Sequence, residues 1–295
     1  MAQDFITGDK FKELADFTFS PEKKLDGDYD NLANTFRPMA LHQARANIVY
    51  THTMYVSSLF ELLRVLKQYK FVVITHNSDN YVEHEYDHAD SFYTADGFGQ
   101  NQAWFAIPPN VIRWFTKNVN CSDKRIESIP IGIQNDRWLT KHDKKKMIEE
   151  KVKEPHSYRN LMYMNFRVGT NATKRQPVYN LFKDEPWVTV LQGQDGHDVA
   201  GYIDSIYNHK FVICPEGNGI DTHRTWETLY LGSIPIEKRN INNQFYKDLP
   251  ICFVDDWEEV TEEYLNGWLN WSQGQMWNMN MINFGYWKNK ILSVK

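Results

Sequence analysis

The sequence predicts an α/β protein in two halves, each built on a parallel sheet. Three observations carry that expectation. Runs of strand length recur along the chain, at 71–74, 127–131, 161–164, 188–191, 210–214, 234–236 and 251–254. Stretches with helical spacing lie between them, and strands alternating with helices belong to a parallel sheet covered on both faces. The length, 295 residues, is long for one domain and comfortable for two.

The elements follow in order. Residues 1–45 are polar and irregular, with turn signals at Pro21 and at Asp26-Gly27-Asp28. Leu59, Leu62, Leu63 and Leu66 share one helical face, and Lys70 leads into the strand Phe71-Val72-Val73-Ile74. Pro108 and Pro109 suit the first turn of a helix that would contain Val111, Ile112 and Phe115. The strand from Glu127 to Ile131 ends at Gly132. Residues 141–155, KHDKKKMIEEKVKEP, form a charged stretch closed by a proline, which fits a solvated helix or a linker. The domain boundary is placed at its end. The expected domains are two Rossmann-like units at 1–155 and 156–272, with the tail 273–295 as a helix packing back on the first. In open α/β sheets ligands bind beyond the carboxyl ends of the strands.

Composition narrows the partners. The net charge is −5 with the signs intermixed, so no basic face for nucleic acid is expected. The three cysteines, Cys121, Cys214 and Cys252, are too few and too sparse for a disulfide framework. The N-terminal MAQDFITGDKFKEL is not a signal peptide, and no run approaches a membrane span. A reducing, cytoplasmic location is expected. Aromatic residues make up 15% of the chain. Their rings serve sugar stacking and core packing equally.

The most informative segment is KFVICPEGNGIDTHRTWETLYLGSIPI, residues 210–236. An apolar strand, Phe211 to Cys214, runs into a loop, Pro215-Glu216-Gly217-Asn218-Gly219, whose glycines permit close ligand approach. Asp221 is the expected N-cap of a helix carrying His223, Arg224 and Glu227 in its first turns. A helix N-terminus beyond a strand end is an anion site. Arg224 would add a forked, permanent cation suited to phosphate. Glu227, three residues on, could accept the two hydroxyls of a ribose. The same spacing also fits an i,i+3 ion pair on a solvated helix, with Glu216 and Asp221 as turn and cap residues.

This segment resembles the exostosin-like glycosyltransferases and, more loosely, the fucosyltransferases of the same GT-B architecture. The shared frame comprises Lys210, Phe211, Pro215, Glu216, Gly217, Gly219, His223, Arg224, Glu227, Leu229, Gly232, Pro235 and Ile236. Upstream, Ile129-Pro130-Ile131-Gly132 with Asn135 and Trp138 looks like that family's domain-joining segment. Asn165, Phe166 and Arg167, followed by Thr170, Asn171, Lys174 and Arg175, look like its first donor-side loop. The resemblance covers roughly residues 70–260. It implies a GT-B fold with two Rossmann-like domains facing a cleft, and inverting transfer that needs no metal or other cofactor. The donor would be a nucleotide diphosphate sugar, UDP favoured and GDP second, and the acceptor an oligosaccharide or glycoprotein glycan hydroxyl. Donor contacts would come from Asn165, Arg167, Thr170, Lys174, the 215–219 loop, Asp221 and His223. Arg224 would meet phosphate and Glu227 ribose. No Golgi anchor like that of the familiar exostosin enzymes is expected here, a departure from them that makes the chain look more like compact relatives in bacteria and large DNA viruses. Algal-virus enzymes that build capsid glycans are among them, which would place the chain in a host cytoplasm and makes UDP-xylose the expected donor.

An inverting transferase needs a general base for the acceptor hydroxyl. The loop after Phe71 to Ile74 offers His76 and Asp79 at a strand end, with Asp79 preferred. Asp79 and Asn77 also suit a simple turn, and Glu83 and Asp96 stand in reserve. Two motifs compete with this reading. His84-Glu85-Tyr86-Asp87-His88 matches the H-E-x-x-H pattern of a zinc hydrolase, but no apolar stripe or third ligand accompanies it. Asp28-Tyr29-Asp30 fits a metal-binding acidic pair, but no apolar strand precedes it. The tryptophans Trp268, Trp271, Trp277 and Trp287 are expected to pack on the core rather than to stack on sugar. A non-catalytic carbohydrate-binding protein of the same fold remains the alternative from another class.

Overall fold

The computed structural model describes residues 3–20, 36–79, 81–82, 106–135, 143–156, 158, 160–191 and 198–295. The chain divides into two compact units, one of Ile6–Ile131 with Phe284–Lys295, the other of Met1–Phe5 with Gly132–Asn283. Each holds a five-stranded parallel sheet, so the protein is of mixed α/β class.

In the first unit, α1 (Gly8–Glu13) is capped by Thr7, whose side chain accepts from Lys10 N, and it buries Phe11. The N-terminal region is therefore not irregular throughout: an apolar residue and a cap suffice for one helix there. The strands are β1 (Phe17–Thr18), β2 (Asn47–His52), β3 (Phe71–His76), β4 (Val111–Thr116) and β5 (Ile126–Ser128), with α2 (Val56–Val65) between β2 and β3. They lie in simple sequence order. Both β2 and β3 are buried along their whole length. The leucine face of α2 buries Leu59 and Leu63, joined by Val56 and Phe60. The expected helix after Pro109 is instead β4. Its Val-Ile-Arg-Trp-Phe-Thr run pairs with β3 on one side and β5 on the other. A β-branched and aromatic run buried between two strands outweighs the helix-start signal of the prolines.

In the second unit, α3 (Lys144–Lys151) leads to β6 (Asn160–Met164), α4 (Ala172–Phe182), β7 (Val188–Val190), α5 (Val199–Tyr207) and β8 (His209–Ile213). Then follow α6 (His223–Tyr230), β9 (Ile234–Lys238), β10 (Cys252–Val254) and α7 (Glu262–Ser272). The strand order is β10-β9-β8-β6-β7. The chain thus reverses direction across the sheet between β6 and β8. Doubly wound sheets bind ligands at such a reversal, beyond the carboxyl ends of the two strands. Met162, Met164, Val178, Phe182, Phe211, Ile213, Ile236 and Leu265 form the core beside it.

The division between the units falls at Ile131/Gly132, upstream of the boundary at 155 read from the charged stretch. That stretch is a helix and not a linker, largely solvated but with one face turned inward. Asp143 caps α3 by accepting from Lys146 N, Ile148 is buried, and Lys151 pairs with Asp204 of α5 at 2.7 Å. The last helix, α8 (Phe284–Leu292), belongs to the first unit. Phe284 meets Phe11 edge-on at 5.2 Å, Lys290 pairs with Glu127, and Lys295 reaches Asp16. Among the described residues no helix is long and apolar enough to cross a membrane.

Candidate functional site

The β6 and β8 loops meet at the reversal of the second sheet. Beyond β6 come Asn165, Phe166 and Arg167, then a short turn to α4. Beyond β8 come Cys214 and the loop Pro215 to Gly219, then α6. Arg175 of α4 ties the two loops together: Nε donates to the Glu216 carbonyl at 2.8 Å and Nη1 to the Arg167 carbonyl at 2.9 Å. Asn171 caps α4 and also donates to the Gly217 carbonyl at 2.7 Å. A Cβ at Gly217 would lie 3.0 Å from Arg175 Nη2, so any larger residue there would press on that guanidinium.

Arg224 stands in the first turn of α6. Its guanidinium lies 5.9 Å from the centroid of the Phe166 ring, and that of Arg175 lies 5.6 Å from the same centroid. Two cations therefore share one aromatic ring. Among the described residues neither has a carboxylate partner, and Arg224 Nε is buried without a hydrogen bond. Burial, and then the like charge of Arg224, brings Arg175 down to about 10. The N-cap of α6 is Thr222, not Asp221, and its side chain makes no cap hydrogen bond. Asp221 is buried and takes the Trp226 indole N–H on its carboxylate, at 2.9 and 3.1 Å. The indole competes for the oxygens that a cap would use. The helix thus presents N–H groups uncapped by a side chain beside an unneutralised pair of arginines, an arrangement suited to an anion.

Glu227, one turn further on, is buried. Lys144 Nζ donates to its Oε1 and Tyr202 OH to its Oε2, each at 2.7 Å. Burial alone would raise its pKa. The charges of Lys144 and His223 and the two hydrogen bonds outweigh burial and hold it at about 2. The i,i+3 ion pair with Arg224 on a solvated helix does not form; the partners come from α3 and α5. Each carboxylate oxygen keeps a second lone pair.

The remaining predicted residues frame this centre. Asn165 donates to Tyr163 OH at 2.8 Å. Arg167, Thr170 and Lys174 are exposed, and Lys174 lies 3.6 Å from Glu216. Pro215, Gly217 and Gly219 are buried and Asn218 is exposed. His223 Nδ1 donates to the Gly132 carbonyl at 2.7 Å. Lys144 and Tyr202 were missed by the sequence reading. Arg175 entered it only within the resemblance, without a site role.

A second buried carboxylate, Glu237 of β9, accepts from Thr225 and Asn243. Burial pushes it up from 4.5 to about 7. The folded protein then holds a proton that the unfolded chain has released, so stability falls as pH rises from about 4.5 to about 7 and levels off above. Glu237→Gln, which mimics the protonated carboxyl, is expected to flatten that slope and to raise the unfolding midpoint at pH 8. Urea unfolding across this range checks it. An unchanged slope would place the pH dependence elsewhere.

In the first unit, the loop after β3 carries both candidate bases. His76 is buried. Its Nδ1 accepts from Asn77 N at 2.8 Å and its Nε2 faces the Pro130 carbonyl at 3.1 Å. Gly8 sits so close that a Cβ would overlap Asn77 Oδ1. Asp79 is about half exposed and lies 3.4 Å from the buried Lys117 Nζ. Glu83, Asp96, the 84–88 motif, Asp28, Asp30 and Trp138 lie outside the described residues. Among the described residues no group of three or more His, Cys, Asp or Glu could hold a metal ion.

Comparison with known proteins adds no relative: no family model matches the chain, and no curated protein matches it.

Proposed function

We propose that the chain is an inverting, metal-independent glycosyltransferase of GT-B architecture, taking its sugar from a nucleotide diphosphate. One observation carries the reading: Arg224 and Arg175 converge on Phe166 at the sheet's reversal point, with no carboxylate partner among the described residues. Two unneutralised cations beside an uncapped helix start suit a diphosphate leaving group, and such fixed charges neutralise it without a divalent ion. UDP is the favoured nucleotide, GDP the second, and xylose the expected sugar. Glu227 accepts the ribose hydroxyls on its remaining lone pairs. The acceptor glycan's hydroxyl oxygen attacks the anomeric carbon from the face opposite the diphosphate. The new glycosidic bond forms as the sugar–phosphate bond breaks, and Asp79 takes the hydroxyl proton.

The test is release of UDP from UDP-sugars, with and without an oligosaccharide acceptor. Release stimulated by acceptor and insensitive to EDTA is expected. No release from any UDP- or GDP-sugar, with no thermal shift by either nucleotide, would overturn the reading.

Two substitutions probe the roles. Arg224→Ala is expected to weaken UDP binding by about 1.5–3 kcal/mol, the range for hydrogen bonds to charged groups. Unchanged affinity would remove the phosphate role. Glu227→Gln is expected to narrow the preference for UDP over its 2′,3′-dideoxy analogue, because an amide offers one acceptor oxygen where the carboxylate offers two. The preference is a ratio within one variant, so loss of stability does not mimic the effect.

A further inference from the structure

On α7 and the turn after it, Trp268, Trp271 and Trp277 form one aromatic cluster. Trp268 is anchored edge-on against the core residue Phe211 at 5.7 Å. Trp277 lies nearly parallel to Trp268, at 6.1 Å and 13°. Trp271 meets both rings edgewise, at 5.7 and 5.8 Å. The outermost ring is thus held in place yet is 53% exposed. The expectation that these tryptophans simply pack on the core fits Trp268 and not Trp271.

Two features of the surroundings say what Trp271 waits for. The first is charge. The chain is 24% charged, yet from Asn266 to Trp287 there is no Asp, Glu, Lys or Arg. The exposed polar side chains of this run include four amides, Asn266, Asn270, Gln273 and Gln275. The second is shape. Gly267 lies one turn before Trp271 on the helix, and a Cβ there would meet nothing within 4 Å. No packing constraint asks for glycine, which is the poorest helix former after proline. Its effect is to leave the helix face beside the indole open.

We propose that this surface is a binding platform for a neutral saccharide chain. A pyranose offers an apolar C–H face for an indole, and its hydroxyls pair with amides that both donate and accept. Residues 266–287 themselves offer a charged ligand no counter-charge. Within residues 266–287 a lipid surface would meet the exposed Met276 and Trp271 but no lysine or arginine to strengthen its binding. The platform is argued without the arginine site and does not depend on the donor reading.

Tryptophan fluorescence titration with xylohexaose, cellohexaose and mannohexaose tests it. The full chain is expected to show saturable binding of at least one. Trp271→Ala should weaken it about tenfold or more, as loss of an aromatic anchor does, with UDP affinity unchanged. Gly267→Gln keeps every ring and fills the open face, and it should weaken binding too. The proposal is overturned if none of the three binds, if both variants bind like the parent, or if neutral phosphatidylcholine vesicles bind in a Trp271-dependent way while the saccharides do not. Saccharide binding without UDP binding would sink the donor reading and leave the platform standing.

Discussion

Asp79→Asn is expected to lower turnover about 10²–10⁴-fold, the usual contribution of a general base, while leaving the affinity for UDP unchanged. The contrast within one loop motivates it. The His76 ring is buried and its two nitrogens are held by Asn77 N and the Pro130 carbonyl. Deprotonating a sugar hydroxyl would require it to give up one of those bonds. Asp79 is about half exposed, and beside Lys117 Nζ at 3.4 Å its carboxylate keeps lone pairs that could take a proton. Asparagine keeps the shape but cannot take the proton. The proposed nucleotide contacts belong to the other sheet, so on that reading the loss should sit in kcat alone, the mark of a group acting in the transition state. His76→Ala should instead lower the unfolding midpoint, since it strips partners from two backbone groups. If Asp79→Asn kept parental turnover, the base would lie elsewhere, and Glu83 and Asp96 would be replaced next.

Lys144→Met is expected to destabilise the protein by about 3 kcal/mol at neutral pH, the scale for removing one partner of a buried ion pair. Glu227 would keep only the hydrogen bond from Tyr202. The pH dependence is diagnostic. In the parent, Glu227 titrates at about 2, below its ordinary 4.5. Its stabilising contribution is therefore complete above 4.5 and is lost as pH falls towards 2. Without Lys144 the largest charge that lowers it is gone and the carboxyl moves upward, so the variant loses less stability in acid than the parent. The gap between parent and variant should shrink as pH drops below 4.5. Unfolding midpoints at pH 7 and pH 3.5 check this. A gap of equal size at both would mean that Lys144 acts through packing and not through charge.

Much of the second unit was legible because its signals are local. Phe211 to Cys214, the glycine loop and Gly232 punctuate the chain within a single short segment, and β8, α6 and β9 follow them closely. The failures also have local causes. Pro108 and Pro109 carry a helix-start signal that the pairing of β4 overrides. Asp221 suits a cap by residue type, yet the Trp226 indole claims its carboxylate. β2 is not among the strands read from the sequence; its apolar centre is short, and pairing with β3 accompanies its full burial. The centre of the site is another matter. Lys144 meets Glu227 across 83 residues of sequence, and Arg175 meets Glu216 across 41. No window on the chain brings those groups together. Lys144 sits in a run of charge that reads as solvated surface, and only the packing of α3 on α5 turns it inward.

Calorimetric titration of UDP against uridine separates the arginine site from a pocket that merely accommodates a base. UDP should bind far more tightly than uridine, by at least the 1.5–3 kcal/mol expected of hydrogen bonds to a charged group, and Arg224→Ala should remove most of that difference. Equal binding of UDP and uridine, or a difference that survives in Arg224→Ala and Arg175→Ala alike, would contradict a diphosphate site on α6.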